Sequence, residues 1–170
     1  MLRFPLIRWI QPMKVERYEK QILDVLQSEG RLSNVELSKK IGLSESPCLR
    51  KTKALEEEGY IKGYKAVVDF KKMGCHITAM VMVNLNQTDV VASEFFDAIS
   101  KEPRVIECLA ITGTSDLMLR VVAKDIDDLS EFTFNGLLRN SIVKDVSSCV
   151  VLKEIKVNAT VPYLESTVQK

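Results

Sequence analysis

Between residues 33 and 63 the chain carries two short helical patterns separated by a single glycine and followed at once by a β-type run, and few folds accept that spacing. Ser33 stands three residues before Glu36, so the two side chains are placed to satisfy each other's orphan amides at a helix start. Val35, Leu37 and Ile41 are the expected apolar positions of this first helix. Gly42 falls where a chain leaving a helix needs a residue tolerant of positive φ, and Gly42, Leu43 and Ser44 form the turn. The next helix is expected to take Ser46 as N-cap and Pro47 as its first residue, because proline's missing N–H costs nothing there. Ser44 is the alternative, earlier cap.

At about 100° per residue, Cys48, Thr52 and Leu55 share one face of the second helix, while Ser46, Arg50 and Lys53 point the opposite way. A short helix that buries a narrow stripe and exposes Arg, Lys and Ser near its start suits the major groove of DNA. Arginine pairs with guanine O6 and N7, and serine, lysine and free amides hold phosphates. An ordinary amphipathic helix with a solvated basic face has the same periodicity. The candidate DNA contacts are Ser33, Asn34, Ser44, Ser46, Pro47, Arg50, Lys51 and Lys53. Residues 59–63 end the helix, and residues 64–68 read as a strand, the wing of a winged helix-turn-helix.

These residues resemble a known family. Val15-Glu16-x-x-Glu19-x-x-Ile22-Leu23, Gly30-Arg31-x-Ser33-Asn34-x-Glu36-Leu37, Gly42-Leu43-Ser44-x-Ser46-Pro47-Cys48 and Leu55-Glu56-x-x-Gly59-x-Ile61-x-Gly63-Tyr64 are similar to the Lrp/AsnC (feast/famine, leucine-responsive) regulators. The resemblance continues through Glu107-Cys108, Thr112-Gly113 and Val150-Val151-Leu152-Lys153-Glu154. It implies a transcriptional regulator of amino-acid-related genes whose second domain senses a ligand. It also implies dimers that assemble into tetramers or octamers.

Charge divides the chain in a compatible way. Residues 1–72 hold 15 Lys and Arg against 10 Asp and Glu, a net +5, and residues 73–170 hold 9 against 13, a net −4. A basic first half favours a polyanionic partner, and the acidic second half needs another task. Cys48, Cys75, Cys108 and Cys149 lack C-x-x-C spacing and His76 is the sole histidine, so no zinc site is legible. The thiols are expected free in a reducing, cytoplasmic setting, with Cys48 and Cys108 packing as small apolar residues. Residues 1–12 are apolar but broken by Pro5 and Pro12, too short for a membrane span and without a signal-peptide cleavage pattern. Met13 is a candidate alternative start, and an arm against a partner subunit is the other reading of this segment.

Beyond Gly74 the period changes. Residues 76–85 alternate as a strand, with Ile77, Ala79, Val81, Val83 and Leu85 on one face and Met80 and Met82 making the other apolar too. A helix is expected over 90–101, with Val91, Phe95, Ala98 and Ile99 on its stripe, then strands over 104–112 and 117–123. A helix over 126–138, with Leu129, Phe132, Phe134 and Leu137 inward, and a strand over 143–157 complete the pattern. The order β-α-β-β-α-β is ferredoxin-like, so the fold class is α+β, a winged helix-turn-helix followed by this domain. The expected division is 1–13 extension or misassigned start, 14–63 helix-turn-helix, 64–74 linker strand, 75–158 sensing and oligomerisation domain, and 159–170 tail. A sheet apolar on both faces would hide its second face in a homodimer.

The loop Thr112, Gly113, Thr114, Ser115, Asp116 occupies the place of the family's Gly-Asp-aromatic-Asp-aromatic loop, which borders an amino-acid pocket between dimers. Gly113 and Asp116 match; Thr114 replaces an Asp, and Ser115 and Leu117 replace aromatics. Asp116 is the candidate partner of an effector's ammonium, and the backbone around Gly113 of its carboxylate. With Ile111 and Leu117 nearby, the expected effector is leucine-like or methionine-like, and no cofactor or membrane partner is implied. The alternatives are an architectural DNA-binding protein that answers to no ligand and, in a different class, a sirohaem-type tetrapyrrole decarboxylase subunit. A single histidine argues against the enzyme.

Overall fold

The computed structural model describes residues 15–86 and 92–163, which fall into two units. Expectations for residues 1–13 and for Val91 lie outside the described residues. The first unit holds residues 15–67 together with 155–163, and the second holds 68–154.

Three helices build the first unit: α1 (Arg17–Ser28), α2 (Asn34–Ile41) and α3 (Glu45–Glu57). The capping box forms, with Ser33 Oγ accepting the Glu36 amide at 3.2 Å and Glu36 Oε2 accepting the Ser33 amide at 2.8 Å. Gly42 closes α2 in the left-handed region at φ 68°, and the Leu43 amide reaches back to the Ser38 carbonyl at 2.9 Å. Ile22, Leu37, Ile41, Cys48 and Leu55 make the core. Burying Ile22 or Leu55 stabilises this small unit by about 1.5–3 kcal/mol each. Val35, expected inside, is 38% exposed, and Ser38 takes the inward place, its hydroxyl bonded to the Val35 carbonyl at 2.9 Å.

Two local expectations are corrected. Helix α3 begins two residues earlier, with the alternative Ser44 as N-cap, so Pro47 is the third helical residue. Any of the first four helical amides lacks an intrahelical partner, so proline is tolerated at the third position as at the first. Residues 64–68 are extended but pair with no strand among the described residues, so no wing hairpin is seen among them. The Tyr64 hydroxyl instead donates to Glu56 at 2.9 Å.

The second unit is an antiparallel sheet of β1 (Ile77–Leu85), β2 (Val105–Ala110), β3 (Leu117–Ala123) and β4 (Val143–Val150) in the order β2-β3-β1-β4. Helices α4 (Ala92–Lys101) and α5 (Ile126–Ser130), the latter running on into a π-helical segment Glu131–Leu137, complete the ferredoxin-like order. Ala79, Val81 and Val83 with Leu117, Leu119 and Val121 meet Phe95, Ile99, Leu129, Phe132 and Leu137 in one core. The opposite face carries rows set by register: Leu109, Met118, Met82 and Ser147 in one, Glu107, Arg120, Met80 and Cys149 in the next.

Phe134 is 64% exposed rather than inward. Thr133 Oγ1 bonds the Leu129 carbonyl at 3.0 Å and Leu138 reaches Thr133 across five residues at 3.0 Å, a wider turn that rotates Phe134 outward. Ala98 is likewise exposed on α4. Strand β4 ends at Val150, and residues 155–163 group with the helical unit. Cys48 is buried, but Cys108 is exposed, because it lies on edge strand β2 where the helices leave it uncovered.

Candidate nucleic-acid interface and effector loop

Helix α3 turns Cys48 and Leu55 into the core and leaves Ser46, Arg50 and Lys53 in solvent. Ser44 makes no side-chain cap, so its hydroxyl and the first amides of α3 are available to a phosphate. Arg50 and Lys53 make no ion pair among the described residues. Ser46, Arg50 and Lys53 thus share one exposed face of α3, with Ser44 at its start and Pro47 half-buried beside them.

Three other candidate contacts are committed elsewhere. The Ser33 hydroxyl is the α2 cap and donates to Glu36 at 2.7 Å, which together with the Ser33 amide holds the Glu36 carboxyl below its ordinary range. Asn34 Nδ2 donates to the Glu45 carbonyl at 2.9 Å, tying the start of α2 to the start of α3. Lys51 leaves the reading face altogether. Its ammonium meets Glu19 of α1 at 2.5 Å and lies 3.7 Å from Glu16.

That pair anchors α3 to α1, a role that sequence reading missed because the partners lie 32 residues apart. Glu19 is only 8% exposed. Burial raises its carboxyl, but the Lys51 ammonium and nearby amides more than offset this and hold it below its ordinary value, while Glu19 holds Lys51 above its own. A lowered carboxyl pKa makes the contribution complete above the ordinary Glu value of 4.5 and lost as pH falls through the lower folded value. Lys51→Met is therefore expected to lower the melting temperature while leaving the salt dependence of DNA binding unchanged. Lys53→Met should reduce the salt slope by about one. A reduced slope in the Lys51 variant would return Lys51 to the phosphate contacts.

The loop between β2 and β3 is held at its base. The Ile111 amide bonds the Asp116 carbonyl at 3.0 Å, and the Asp116 amide bonds the Val83 carbonyl at 3.2 Å. Asp116 Oδ2 accepts the Leu85 amide at 2.8 Å, so this carboxylate also secures the end of β1. Gly113 takes φ 118°, a conformation that disfavours a side chain. Thr112, Gly113 and Thr114 are exposed and Ser115 is half-buried. Leu117, expected beside the effector, is buried in the sheet core, which leaves Ile111 as the apolar neighbour. His76 is exposed just before β1, and among the described residues no group of three His, Cys, Asp or Glu side chains comes together.

Comparison with known proteins fits both units. Residues 16–62 match the winged helix-turn-helix DNA-binding family and residues 78–161 the Lrp/AsnC ligand binding domain. The transcriptional regulator AzlB of Bacillus subtilis is 39% identical over 149 residues, covering 87% of this chain and 95% of that protein. The chain belongs to the Lrp/AsnC family of transcriptional regulators. The leucine-responsive regulatory protein of Escherichia coli K12 is 34% identical over 84% of this chain and 87% of its own length. Among solved structures, a transcriptional regulator from Neisseria meningitidis in complex with L-methionine superposes with a TM-score of 0.83 at 36% identity, covering 86% of this chain and 96% of that one. An AsnC family regulator from Agrobacterium tumefaciens gives 0.79 at 30% identity over the same shares.

Proposed function

We propose that this regulator binds duplex DNA as a cytoplasmic homo-oligomer, through Ser44, Ser46, Arg50 and Lys53 of α3, and that a small amino acid modulates it. The observation that carries the DNA reading is the exposed face of α3, with uncapped amides and a serine hydroxyl at its start and two cations along it. Phosphates are held by the amides and Lys53, and a base edge by Arg50.

Assembly rests on the outer sheet face. Leu109, Met118 and Met82 form an apolar row there, with Met80 in the next. Arg120 on the same face pairs with Glu154 at 2.5 Å, yet its Nε is buried without a hydrogen-bond partner among the described residues. A second copy related by a two-fold axis would cover the row and supply the acceptor. The extended residues 64–68, with Val67 and Val68 exposed and the backbone paired with no strand among the described residues, offer the same partner an edge. Two recognition helices then meet two half-sites.

For the effector, the regulator from Neisseria meningitidis holding L-methionine supports an amino acid, here uncharged and leucine-like or methionine-like. Asp116 meets its ammonium with the lone pairs that the Leu85 amide leaves open, and the backbone around Gly113 meets its carboxylate. Asp116→Asn is the informative substitution, because it keeps an oxygen for the Leu85 amide while removing the charge. Calorimetry should show the parent binding one of the twenty amino acids at millimolar concentration or below, and the variant losing that binding with its fold intact. If the parent binds none, the ligand-independent architectural reading replaces this one. The altered loop, with Thr114 and Ser115 in place of family residues, is the observation on that side.

A further inference from the structure

Among the exposed side chains of α3, Leu49 is the one without a polar group; every other carries a carboxylate, a cation or a hydroxyl. It is 45% exposed. Among the described residues it belongs neither to the core of the helical unit nor to the apolar side chains packed against that core. It borders a cavity of about 510 Å³ that Leu26, Leu32 and Leu37 also line, so shortening it widens an open space and leaves the packed core in place.

A lone leucine on a free surface needs no explanation. Leu49 differs because of where it stands. At about 100° per residue, Lys53 lies about 40° from it around the helix axis, Ser46 about 60° and Arg50 about 100°, all to the same side. It therefore adjoins the face proposed to enter the major groove, in the N-terminal half of α3 and next in sequence to Arg50. Residues near the start of a helix docked in this way reach base edges.

The floor of the major groove is a row of hydrogen-bond donors and acceptors with a single apolar group, the C5-methyl of thymine. Leucine pressed against an amino group or a ring nitrogen strips its water and returns no hydrogen bond, a cost without compensation. Against the methyl, both surfaces leave water together. Cytosine offers the same place only a hydrogen at C5, beside an amino donor. We infer that Leu49 reads a thymine through its C5-methyl group, at a base pair adjoining the one that Arg50 contacts. This rests on the reading of α3 as a DNA-contacting helix given above.

Deoxyuridine lacks only that methyl group, so the first substitution is made in the DNA and leaves the protein untouched. Each thymine in one half-site of a duplex selected by the parent from a random pool is replaced in turn, and affinity is measured by fluorescence anisotropy. One replacement should weaken the parent about fourfold, the size of one buried methyl group. Leu49→Ala should bind the thymine and uracil duplexes equally, and Leu49→Met, which keeps an apolar side chain of similar volume, should retain the difference. Both variants should still weaken when the guanine read by Arg50 is exchanged for 7-deazaguanine, which lacks the N7 acceptor. A parent indifferent to every replacement would overturn the inference. So would discrimination that persists in Leu49→Ala, which would assign the methyl to another residue. Loss of the guanine response along with the methyl response in Leu49→Ala would make Leu49 a support of α3 and overturn it as well. A parent that binds the selected duplex no tighter than random DNA would overturn the DNA reading itself, an outcome distinct from the others.

Discussion

Replacing Met82 by glutamate is expected to split the assembled protein and to lower its apparent affinity for a two-half-site duplex by about 100-fold or more. Met82 stands opposite Met118 on one side and Ser147 on the other, at the centre of the sheet face that no helix of the described residues covers. It is half-buried within the single chain, so a polar replacement leaves the chain's own core alone. Across a two-fold axis each copy would bring its carboxylate into the other's apolar row, where neither finds a partner, and burying such charges costs far more than the contact returns. Loss of the dimer converts a bivalent particle into single helix-turn-helix units. Sedimentation should show the mass halved and circular dichroism the fold retained. A variant that keeps the parent's mass would place the interface elsewhere.

Arg50→Ala is the second large effect, expected to cost about 1 to 3 kcal/mol at a selected site through a lost bidentate base contact. Arg50 is exposed on α3 and its guanidinium has no ion-pair partner among the described residues, so truncation leaves no buried charge behind. The loss should relax specificity at one base-pair position and be much smaller on random duplex. An equal loss on both would reduce Arg50 to a phosphate anchor.

Features written in local chemistry were legible before the structure. The Ser33 and Glu36 capping box, the left-handed Gly42 and the buried faces of α3 and β1 each depend on residues within a turn or a strand of one another. Pro47 was misplaced because proline suits several positions of a first turn equally. The strand over 64–68 was read from valines and a tyrosine, but a strand exists only with a partner, and the described residues supply none. Phe134 left the core because the Thr133 hydroxyl occupies the Leu129 carbonyl, a competition that periodicity does not encode. At the candidate site the exposed face of α3 followed from a 100° rotation per residue. The loss of Lys51 and Asn34 from that surface did not, because their partners on α1 and α3 are set by tertiary packing. Asp116 is the subtler case. Its charge was read as waiting for a ligand, whereas one of its oxygens also holds the end of β1.

The role proposed for α3 is to read DNA in a particle whose other unit answers to an amino acid. Fluorescence anisotropy of a selected two-half-site duplex, titrated with the full-length protein alone and with each of the twenty amino acids at millimolar concentration, tests it most directly. The expected result is saturable binding far tighter than to random duplex, falling steeply with salt as counterions are released, and shifted about fivefold or more by an apolar or sulfur-containing amino acid. Binding no tighter than to random duplex would contradict the DNA reading. Tight binding that none of the twenty shifts would contradict the effector.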